Sequence, residues 1–324
     1  MKKRRLGTST LEVSELSFGT WLTVAGGIER QQAIRCIHAA LDAGITLFDT
    51  ANQYGGGEAE RVLGQALKTT ARDRYQIATK LFYPVGEETD HGLSAAQIEK
   101  QLDHSLRRLD TDFIDLYQCH RYDAETPLEE TLEALDKAVR AGKVRAIGFS
   151  EWKPEQIDAA ASVAGTQAFT PFVSSQPQYS ILWRKPEAGV FAACARHGIG
   201  NLVFSPLAHG VLSGKYAAGQ PAPPGTRAAS EHMNIFMETA GRHYRSDYVI
   251  EGVTRLKPIA AELGLTMTQM ALAWVLRRPE VTSAIIGASR PEQIADNAGA
   301  VGVVLPEEAL RRIDETVGNV AVRG

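Results

Sequence analysis

The chain has 324 residues, of which 44% are hydrophobic and 23% are charged, and this composition excludes a disordered or low-complexity protein. Its 35 Lys and Arg residues against 38 Asp and Glu residues give a net charge of -3, so no basic field for nucleic acid is expected. No apolar run approaches the roughly 18 residues that a membrane span needs. Three scattered cysteines and the lack of a secretory-type apolar segment favour a reducing, cytoplasmic setting.

The chain opens with two short segments, residues 4–6 and 11–13, on either side of a Gly-Thr-Ser-Thr turn, and this pattern predicts a β-hairpin. Beyond it, short apolar runs alternate with helically spaced segments. Eight of these runs are predicted strands: 16–19, 45–48, 76–79, 113–117, 146–149, 173–176, 201–204 and 284–286. Eight βα units predict an α/β protein, a (β/α)8 TIM barrel that forms a single domain over residues 1–324.

Capping patterns indicate where the intervening helices begin and end. Capping boxes start at Ser94, Thr126, Thr266 and Ser289, and glycines at 44, 142 and 264 occupy positions typical of helix ends. The regular spacing breaks between residues 204 and 284. This stretch predicts a long loop over one mouth of the barrel, rich in Ala, Pro and Gly at 217–230, with at least one added helix around 246–263.

Polar side chains follow three neighbouring predicted strands. Asp49 and Tyr54 follow the second strand, Lys80 follows the third, and His120 follows the fourth. Because chemistry in this fold lies at the C-terminal ends of the strands, these groups are expected on one rim. Such a set can protonate a carbonyl oxygen: tyrosine supplies the proton, lysine lowers its pKa, the carboxylate holds the lysine, and histidine bonds the substrate. Each residue alone has a structural alternative, such as a strand cap, a solvated lysine or a packing aromatic.

Longer motifs surround these residues. They are Gly44-Ile45-Thr46-Leu47-Phe48-Asp49-Thr50-Ala51 with Tyr54-Gly55, Ala78-Thr79-Lys80, Phe204-Ser205-Pro206-Leu207-Ala208-His209-Gly210, Ser213-Gly214-Lys215-Tyr216 and Ile286-Gly287-Ala288-Ser289. Almost end to end, this pattern resembles the aldo-keto reductases. The branch it most resembles is the one related to voltage-gated potassium-channel β subunits, which share Thr20-Trp21 and the segment from Ser213 to Tyr216.

The resemblance implies an enzyme whose catalytic tetrad is Asp49, Tyr54, Lys80 and His120. It implies reduction of aldehydes or ketones to alcohols, with hydride from NADPH and a proton from Tyr54. A second hypothesis is an NADPH-binding, redox-sensing regulatory subunit of the potassium-channel β type with little turnover. The channel β subunits tend to carry Asn where this chain has His120, which favours the working reductase.

The sequence carries no conventional nucleotide-binding motif of another kind. No Gly-x-Gly-x-x-Gly follows a strand, and the segment from Gly210 to Tyr216 lacks both the spacing and the Ser or Thr of a P-loop. No histidine pair has metal-ligand spacing, so no metal site is predicted. The resemblance implies that Lys215 and nearby backbone N–H groups contact the pyrophosphate, and that Gln176 and Ser150 contact the nicotinamide carboxamide.

The resemblance implies a set of cofactor-binding residues, most of which end or follow predicted strands. They are Thr20, Trp21, Asp49, Ser150, Gln176, Phe204, Ser205, Pro206, Leu207, Ala208, Gly210, Ser213, Lys215, Arg227, Gly287, Ser289, Arg290, Gln293, Asp296 and Asn297. Among them, Ser289 is the predicted N-cap of a helix whose positive end suits an anion, and Arg290 adds a fork for phosphate. This combination favours the 2′-phosphate of NADPH over the ribose hydroxyl of NADH. The alternative is a capped surface helix with a solvated arginine.

Substrate and assembly are less determined by the sequence. The mouth region at 217–245, together with Trp21, Phe82, Tyr83 and Trp152, is expected to shape a pocket for a small carbonyl compound. Glu151 stands where Asn is common in the family, which leaves its role open. Related proteins include monomers and larger assemblies, so a homo-oligomer stays open as well.

Overall fold

The computed structural model describes residues 1–21, 23–86, 90–230, 234–238, 241 and 243–323. The strands in these ranges are β1 (Lys3–Arg5), β2 (Glu12–Ser14), β3 (Leu16–Gly19), β4 (Leu47–Asp49), β5 (Gln76–Leu81), β6 (Ile114–Cys119), β7 (Val144–Ser150), β8 (Ser174–Gln176), β9 (Gly200–Phe204) and β10 (Val281–Ile286). The α-helices are α1 (Arg30–Asp42), α2 (Glu58–Leu67), α3 (Ala95–Leu109), α4 (Leu128–Arg140), α5 (Pro154–Gln167), α6 (Val190–Arg196), α7 (Ile235–Glu238), α8 (Asp247–Thr254), α9 (Lys257–Glu262), α10 (Met267–Leu276), α11 (Pro291–Ala298) and α12 (Glu307–Thr316). Short 3-10 or π turns cover Thr23–Gly27, Arg72–Arg74, Lys185–Ala188, Ala208–Ser213 and Arg227–Ala229.

Eight parallel strands close into a barrel in the order β10-β3-β4-β5-β6-β7-β8-β9. Each predicted strand segment coincides with one of them, and the segment 16–19 matches β3 at both ends. The predicted hairpin also forms, because β1 pairs antiparallel with β2. The fold is therefore a (β/α)8 TIM barrel, as the alternation of apolar runs predicted.

The hairpin closes the N-terminal end of the barrel. Leu6 and Val13 are completely buried and pack in one cluster with inward-facing strand residues. That cluster also contains Leu47, Ala78, Leu116, Ala146, Val173, Leu202 and Ile285. Arg4 holds the hairpin in place, because its guanidinium donates to the carbonyl oxygens of Leu276 and Val281 at 2.9 and 2.6 Å. The hairpin therefore lies at the end of the barrel opposite the C-terminal ends of the strands.

Two of the four predicted helix starts are confirmed. Ser94 accepts a hydrogen bond from the Gln97 backbone N–H at 3.4 Å, and α3 begins at the next residue. Thr266 and Gln269 form a complete capping box at the start of α10. The glycines at 44, 142 and 264 follow helix ends with φ of 82°, 73° and 67°, a conformation that glycine adopts at little cost.

The other two predicted starts are wrong by one residue. Pro127, not Thr126, precedes α4, because the Thr126 hydroxyl donates to the carboxylate of Asp123 at 2.7 Å. Arg290, not Ser289, is the N-cap of α11. The Ser289 backbone N–H and hydroxyl instead donate to the side-chain oxygen of Gln293 at 2.8 and 3.3 Å.

The segment between β9 and α10 is a long mouth loop with short helices, as expected, and the region 246–263, predicted to hold at least one helix, holds two. α8 ends at Thr254, and α9 begins at Lys257. Pro258 explains the break, since its ring lacks an N–H donor and clashes with the carbonyl of Thr254. Within the predicted pocket region 217–245, residues 231–233, 239–240 and 242 lie outside the described residues.

None of the helices in the described ranges is, by itself, long and apolar enough to cross a membrane. One pair, Asp247–Glu262 with Met267–Leu276, meets the length and composition test when taken together, but it is bent by 89°.

Gly64 in α2 permits close packing against the end of α3. A Cβ at this position would lie 2.5 Å from the Leu109 carbonyl oxygen, whereas one at the exposed Gly165 in α5 would meet no atom within 4 Å. We expect Gly64→Ala to lower the free energy of unfolding by about 1–3 kcal/mol through overpacking. Gly165→Ala should raise it by roughly 0.5–1 kcal/mol, because alanine favours a helix. Urea denaturation of both variants tests this, and an equal effect of the two would contradict the packing argument.

Candidate active site

The catalytic candidates meet at the C-terminal rim of the barrel. Asp49 is the last residue of β4, Lys80 lies near the end of β5, and His120 follows β6 directly. Tyr54 lies in the turn that connects β4 to α2. Adjacent parallel strands thus bring together four side chains that are separated by up to 71 positions in the sequence. The structure places all four in one cluster.

A buried ion pair forms the centre of this cluster. Lys80 Nζ donates to Asp49 Oδ1 at 2.7 Å and to the Thr50 carbonyl oxygen at 2.7 Å. Lys80 is 0% exposed and Asp49 is 4% exposed. Burial tends to lower the pKa of Lys80, but the charge and hydrogen bond of Asp49 outweigh it and leave that pKa raised. The lysine therefore stays cationic at neutral pH.

Tyr54 lies close enough to the Lys80 cation to interact with it. Lys80 Nζ lies 3.4 Å from Tyr54 Oη. The expectation that lysine brings the tyrosine pKa below its usual value is wrong for this structure. Burial raises the pKa of Tyr54, and the opposing effect of Lys80 does not fully compensate. Tyr54 is consequently protonated at neutral pH, which is the state that a proton donor requires.

His120 borders Tyr54 on the other side. The two rings meet edge to face with centroids 5.7 Å apart, and the Tyr83 ring lies 5.2 Å from His120. Burial holds the pKa of His120 well below its usual range, and the positive charges of Lys80 and Arg121 act in the same direction. The imidazole is therefore neutral. Its buried Nδ1 has no hydrogen-bond partner in the described part of the chain, so this atom is available to a ligand.

Two further strand ends support the ion pair. Gln176 at the end of β8 donates from Nε2 to Asp49 Oδ2 at 2.8 Å. Ser150 at the end of β7 donates to the Gln176 carbonyl oxygen at 2.8 Å. Thr20 donates from Oγ1 to the Asp49 carbonyl oxygen at 3.1 Å. These three predicted cofactor residues thus lie beside the ion pair and orient it.

Glu151, whose role the sequence left open, connects two neighbouring loops. Its backbone adopts a left-handed φ of 58°, and its carboxylate accepts a hydrogen bond from the Gln178 backbone N–H at 2.7 Å. This bond connects the loop after β7 to the chain just beyond β8.

The loop after β9 has unusual backbone geometry. Ser205, Ala208 and His209 have φ values of 52°, 47° and 56°, a region that costs energy for residues with a side chain. Gly210 follows with φ of 94°, and a Cβ at this position would lie 3.1 Å from Lys215 Nζ. Strained backbone that persists at a barrel mouth is typical of a loop shaped to bind a ligand. Four of the five residues named here are predicted cofactor contacts, and His209 belongs to the same motif.

Three cations gather near this loop. Desolvation by surrounding side chains lowers the pKa of Lys215, and the nearby Arg227 and Arg290 lower it further. Burial lowers the pKa of Arg227 to about 10, and its Nη1 lies 3.0 Å from His209 Nδ1. Across the described ranges, no carboxylate oxygen lies within 4.0 Å of these three cations. Within these ranges, no acidic side chain therefore neutralises their mutual repulsion.

In the last predicted cofactor segment, from Ser289 to Asn297, the side chains bond different neighbours. Ser289 and Gln293 bond each other at the start of α11. The Asp296 carboxylate accepts hydrogen bonds from Thr266 and Gln269 at 3.2 Å, so it faces α10. The remaining predicted residues follow β3 (Trp21), end or follow β9 (Phe204, Pro206, Leu207 and Ser213), follow β10 (Gly287) or lie in α11 (Asn297).

Sequence reasoning missed three contributions to this site. The Thr50 carbonyl shares Lys80 with Asp49, and a backbone acceptor leaves no signal in the side-chain pattern. His209 contacts Arg227, and Trp21 lies edge-on to His209 with ring centroids 6.1 Å apart. Arg121 lies beside His120, and only its position next to a candidate catalytic residue could have drawn attention to it.

The described residues contain no group of three His, Cys, Asp or Glu side chains arranged to hold a metal ion. The chemistry that this site can perform with its own groups is proton donation from a tyrosine beside a buried lysine.

Comparison with known proteins agrees with this geometry. Residues 15–317 match the aldo/keto reductase family. The chain belongs to the aldo/keto reductase family. Its relatives include a probable voltage-gated potassium channel subunit beta from Oryza sativa subsp. japonica and another from Arabidopsis thaliana, each 38% identical over 98% of this chain and 97% of the relative. A putative subunit of the same kind from Schizosaccharomyces pombe is 36% identical over 96% of this chain and 92% of the relative.

Membership of this family makes the chain an oxidoreductase by family and confirms the resemblance seen in the sequence motifs. Family membership also agrees with the closed parallel barrel.

Proposed function

We propose that this protein reduces aldehydes or ketones to alcohols with NADPH. The observation that carries the proposal is the position of Tyr54 Oη, 3.4 Å from Nζ of the buried Lys80, which pairs with Asp49, and beside the His120 ring at a centroid distance of 5.7 Å. One domain, residues 1–324, would hold both cofactor and substrate. Three free, buried cysteines are compatible with a cytoplasmic location.

The residues at the mouth fit a nicotinamide dinucleotide phosphate. Its phosphates need positive charge, which Lys215, Arg227 and Arg290 supply without a competing carboxylate in the described residues. The strained loop after β9 brings backbone groups close to Lys215. Gln176 and Ser150 at the ends of β8 and β7 are the groups that would lie against the nicotinamide. Charge and position thus agree with a cofactor extended from the loops of β9 and β10 toward Tyr54.

When bound, NADPH would supply a hydride to the carbonyl carbon. Tyr54 then donates its phenolic proton to the carbonyl oxygen. Lys80 stabilises the negative charge that develops on Tyr54 Oη. At 3.4 Å and an effective dielectric near 20, the attraction is about 5 kcal/mol, although Asp49 cancels part of it. Asp49 keeps Lys80 in place, and neutral His120 would donate a hydrogen bond from its ring N–H to the carbonyl oxygen.

The experiment for this proposal is a screen of NADPH oxidation, followed at 340 nm, over a panel of small aldehydes and ketones. Turnover of at least one carbonyl compound is expected. If the protein binds NADPH but reduces none of the panel, the reductase assignment fails.

A second candidate is an NADPH-binding regulatory subunit with little turnover. The printed names of the relatives, which describe potassium channel beta subunits, favour it. His120, which can hydrogen-bond a substrate carbonyl, argues for turnover instead. Steady reduction of 4-nitrobenzaldehyde would exclude this second candidate, whereas NADPH binding without reduction of any test carbonyl would support it.

Arg290 is expected to determine the preference for NADPH. It is an exposed residue at the start of α11, close enough to lower the pKa of Lys215. A hydrogen bond to a charged group contributes about 1.5–3 kcal/mol, or roughly 10- to 150-fold in affinity. We therefore expect NADPH to bind at least about tenfold more tightly than NADH, and Arg290→Ala to remove most of this difference.

Fluorescence titration with both cofactors measures this preference. Lys215→Met is the matched control, because the pyrophosphate that Lys215 would contact is common to both cofactors. This variant should weaken NADPH and NADH alike. If Arg290→Ala also weakens both equally, the 2′-phosphate does not lie at Arg290.

A further inference from the structure

Arg121 lies beside the catalytic cluster but takes no part in the proton transfer described above. Its Nη1 donates to the His120 carbonyl oxygen at 2.6 Å. Its guanidinium carbon lies 5.6 Å from the centroid of the Tyr83 ring, and that ring packs edge-on against His120 at 5.2 Å. The side chain is half-buried. Arg121 therefore packs on Tyr83, which packs on His120, and His120 in turn borders Tyr54.

The barrel topology separates Arg121 from the phosphate-binding cations. Lys215 and Arg227 follow β9, and Arg290 follows β10. Arg121 follows β6, which is the fourth strand from β10 in either direction around the barrel. A cofactor whose phosphates were held at β9 and β10 would therefore leave Arg121, on the β6 side, for a different anionic group.

The positive charge of Arg121 has no acidic partner in the part of the chain that the structure describes. Among the residues that the structure describes, no carboxylate oxygen lies within 4.0 Å of its guanidinium. Asp123, the nearest acid along the chain, is already engaged: it accepts from the backbone N–H of Leu93 at 2.7 Å and of Glu125 at 2.9 Å, and from the Thr126 hydroxyl. The guanidinium fork thus retains donors for a bidentate anion.

We propose that Arg121 binds an anionic group, a carboxylate or a phosphate, on the carbonyl substrate. This inference rests on the proposed reductase function and names its substrate class: small aldehydes or ketones that carry negative charge. The carbonyl would lie between Tyr54 and His120, and the anionic group would lie on the β6 side, past Tyr83. The Phe82 and Tyr83 rings, with centroids 5.2 Å apart, form the apolar wall for the part between these two groups.

A matched set of benzaldehydes separates charge from size. The anionic substrates are 4-carboxybenzaldehyde and 4-formylphenyl phosphate, and the neutral one is methyl 4-formylbenzoate. The wild-type kcat/KM for the better anionic substrate should exceed that for the ester at least about tenfold. Whichever of the two anions gives the larger ratio identifies carboxylate or phosphate as the favoured group.

Arg121→Met should lower this anion-to-ester ratio by at least about tenfold, mainly through KM, and Arg121→Lys should retain part of it. Arg35→Met is the control, because Arg35 is an exposed arginine on the outer helix α1 and its loss changes the net charge equally. The control should keep the wild-type ratio. If Arg121→Met and Arg35→Met change the ratio equally, Arg121 does not bind the substrate anion.

Benzoate binding, measured by calorimetry on the full chain, gives a readout that does not depend on turnover. Benzoate should bind the wild-type protein and bind Arg121→Met at least about tenfold more weakly. If no aldehyde is reduced but this loss of benzoate affinity is seen, the anion site stands and the reductase function fails. If aldehydes are reduced but neither benzoate affinity nor the substrate ratio depends on Arg121, the anion site fails alone.

Discussion

Replacing Tyr54 with Phe should lower kcat for carbonyl reduction about 10²- to 10⁴-fold, because a positioned general acid contributes a factor of this size. The fold should persist, since only a hydroxyl group is lost from a ring that is 9% exposed. Affinity for NADPH should stay close to the wild-type value. NADPH oxidation at 340 nm and fluorescence titration of the cofactor measure the two quantities on the same samples.

Tyr248→Phe is the control for this loss of a hydroxyl group. Tyr248 is 52% exposed, and its hydroxyl donates to the Asn319 carbonyl oxygen, outside the barrel mouth. The control variant should turn over like the wild type. Turnover by Tyr54→Phe at the wild-type rate would remove Tyr54 from the mechanism.

Replacing Lys80 with Met should affect both rate and stability. The rate of reduction should fall about 10²- to 10³-fold, a loss typical of removing one charge-stabilising group from an active site. The free energy of unfolding should fall by about 3–5 kcal/mol, because Asp49 would remain as a buried charge without its partner. Urea denaturation and NADPH oxidation separate these two effects.

Two controls keep the catalytic role of Lys80 testable. The double variant Asp49→Asn with Lys80→Met should recover stability, since no buried charge is left unpaired, but it should stay slow. In the reverse reaction, alcohol oxidation, the deprotonated Tyr54 acts as base. Loss of Lys80 raises the tyrosine pKa further, so the pH profile of oxidation should shift to higher pH. If activity returns together with stability, Lys80 is a structural residue only.

The barrel itself was predictable because its signals are local. Alternating apolar runs located all eight strands, and the rule that parallel strand ends share one rim correctly grouped Asp49, Lys80 and His120. The hairpin was equally clear from its turn. The division of the helical region 246–263 into α8 and α9 also had a local signal in the sequence, because Pro258 marks the start of a new helix.

Other features depended on competing side-chain interactions that the sequence alone does not show. Thr126 and Ser289 fail as helix caps because Asp123 and Gln293 bind their side chains first. The direction of the Tyr54 pKa shift was mispredicted because the effect of Lys80 was considered without that of burial. The positions of Arg121 and His209 relative to the site could be found only from the folded barrel, because no sequence motif gave either side chain a chemical role.

Transfer of deuterium tests the central claim most directly. The protein is supplied with 4-carboxybenzaldehyde and with NADPH in which deuterium replaces both hydrogens at the nicotinamide C4, and the alcohol formed is analysed by mass spectrometry. We expect deuterium on the benzylic carbon of the alcohol, in an amount equal to the NADPH consumed, and much slower transfer by Tyr54→Phe. Binding of NADPH without any deuterium in an alcohol, for this and every other aldehyde tested, would contradict the assignment of this barrel as a carbonyl reductase.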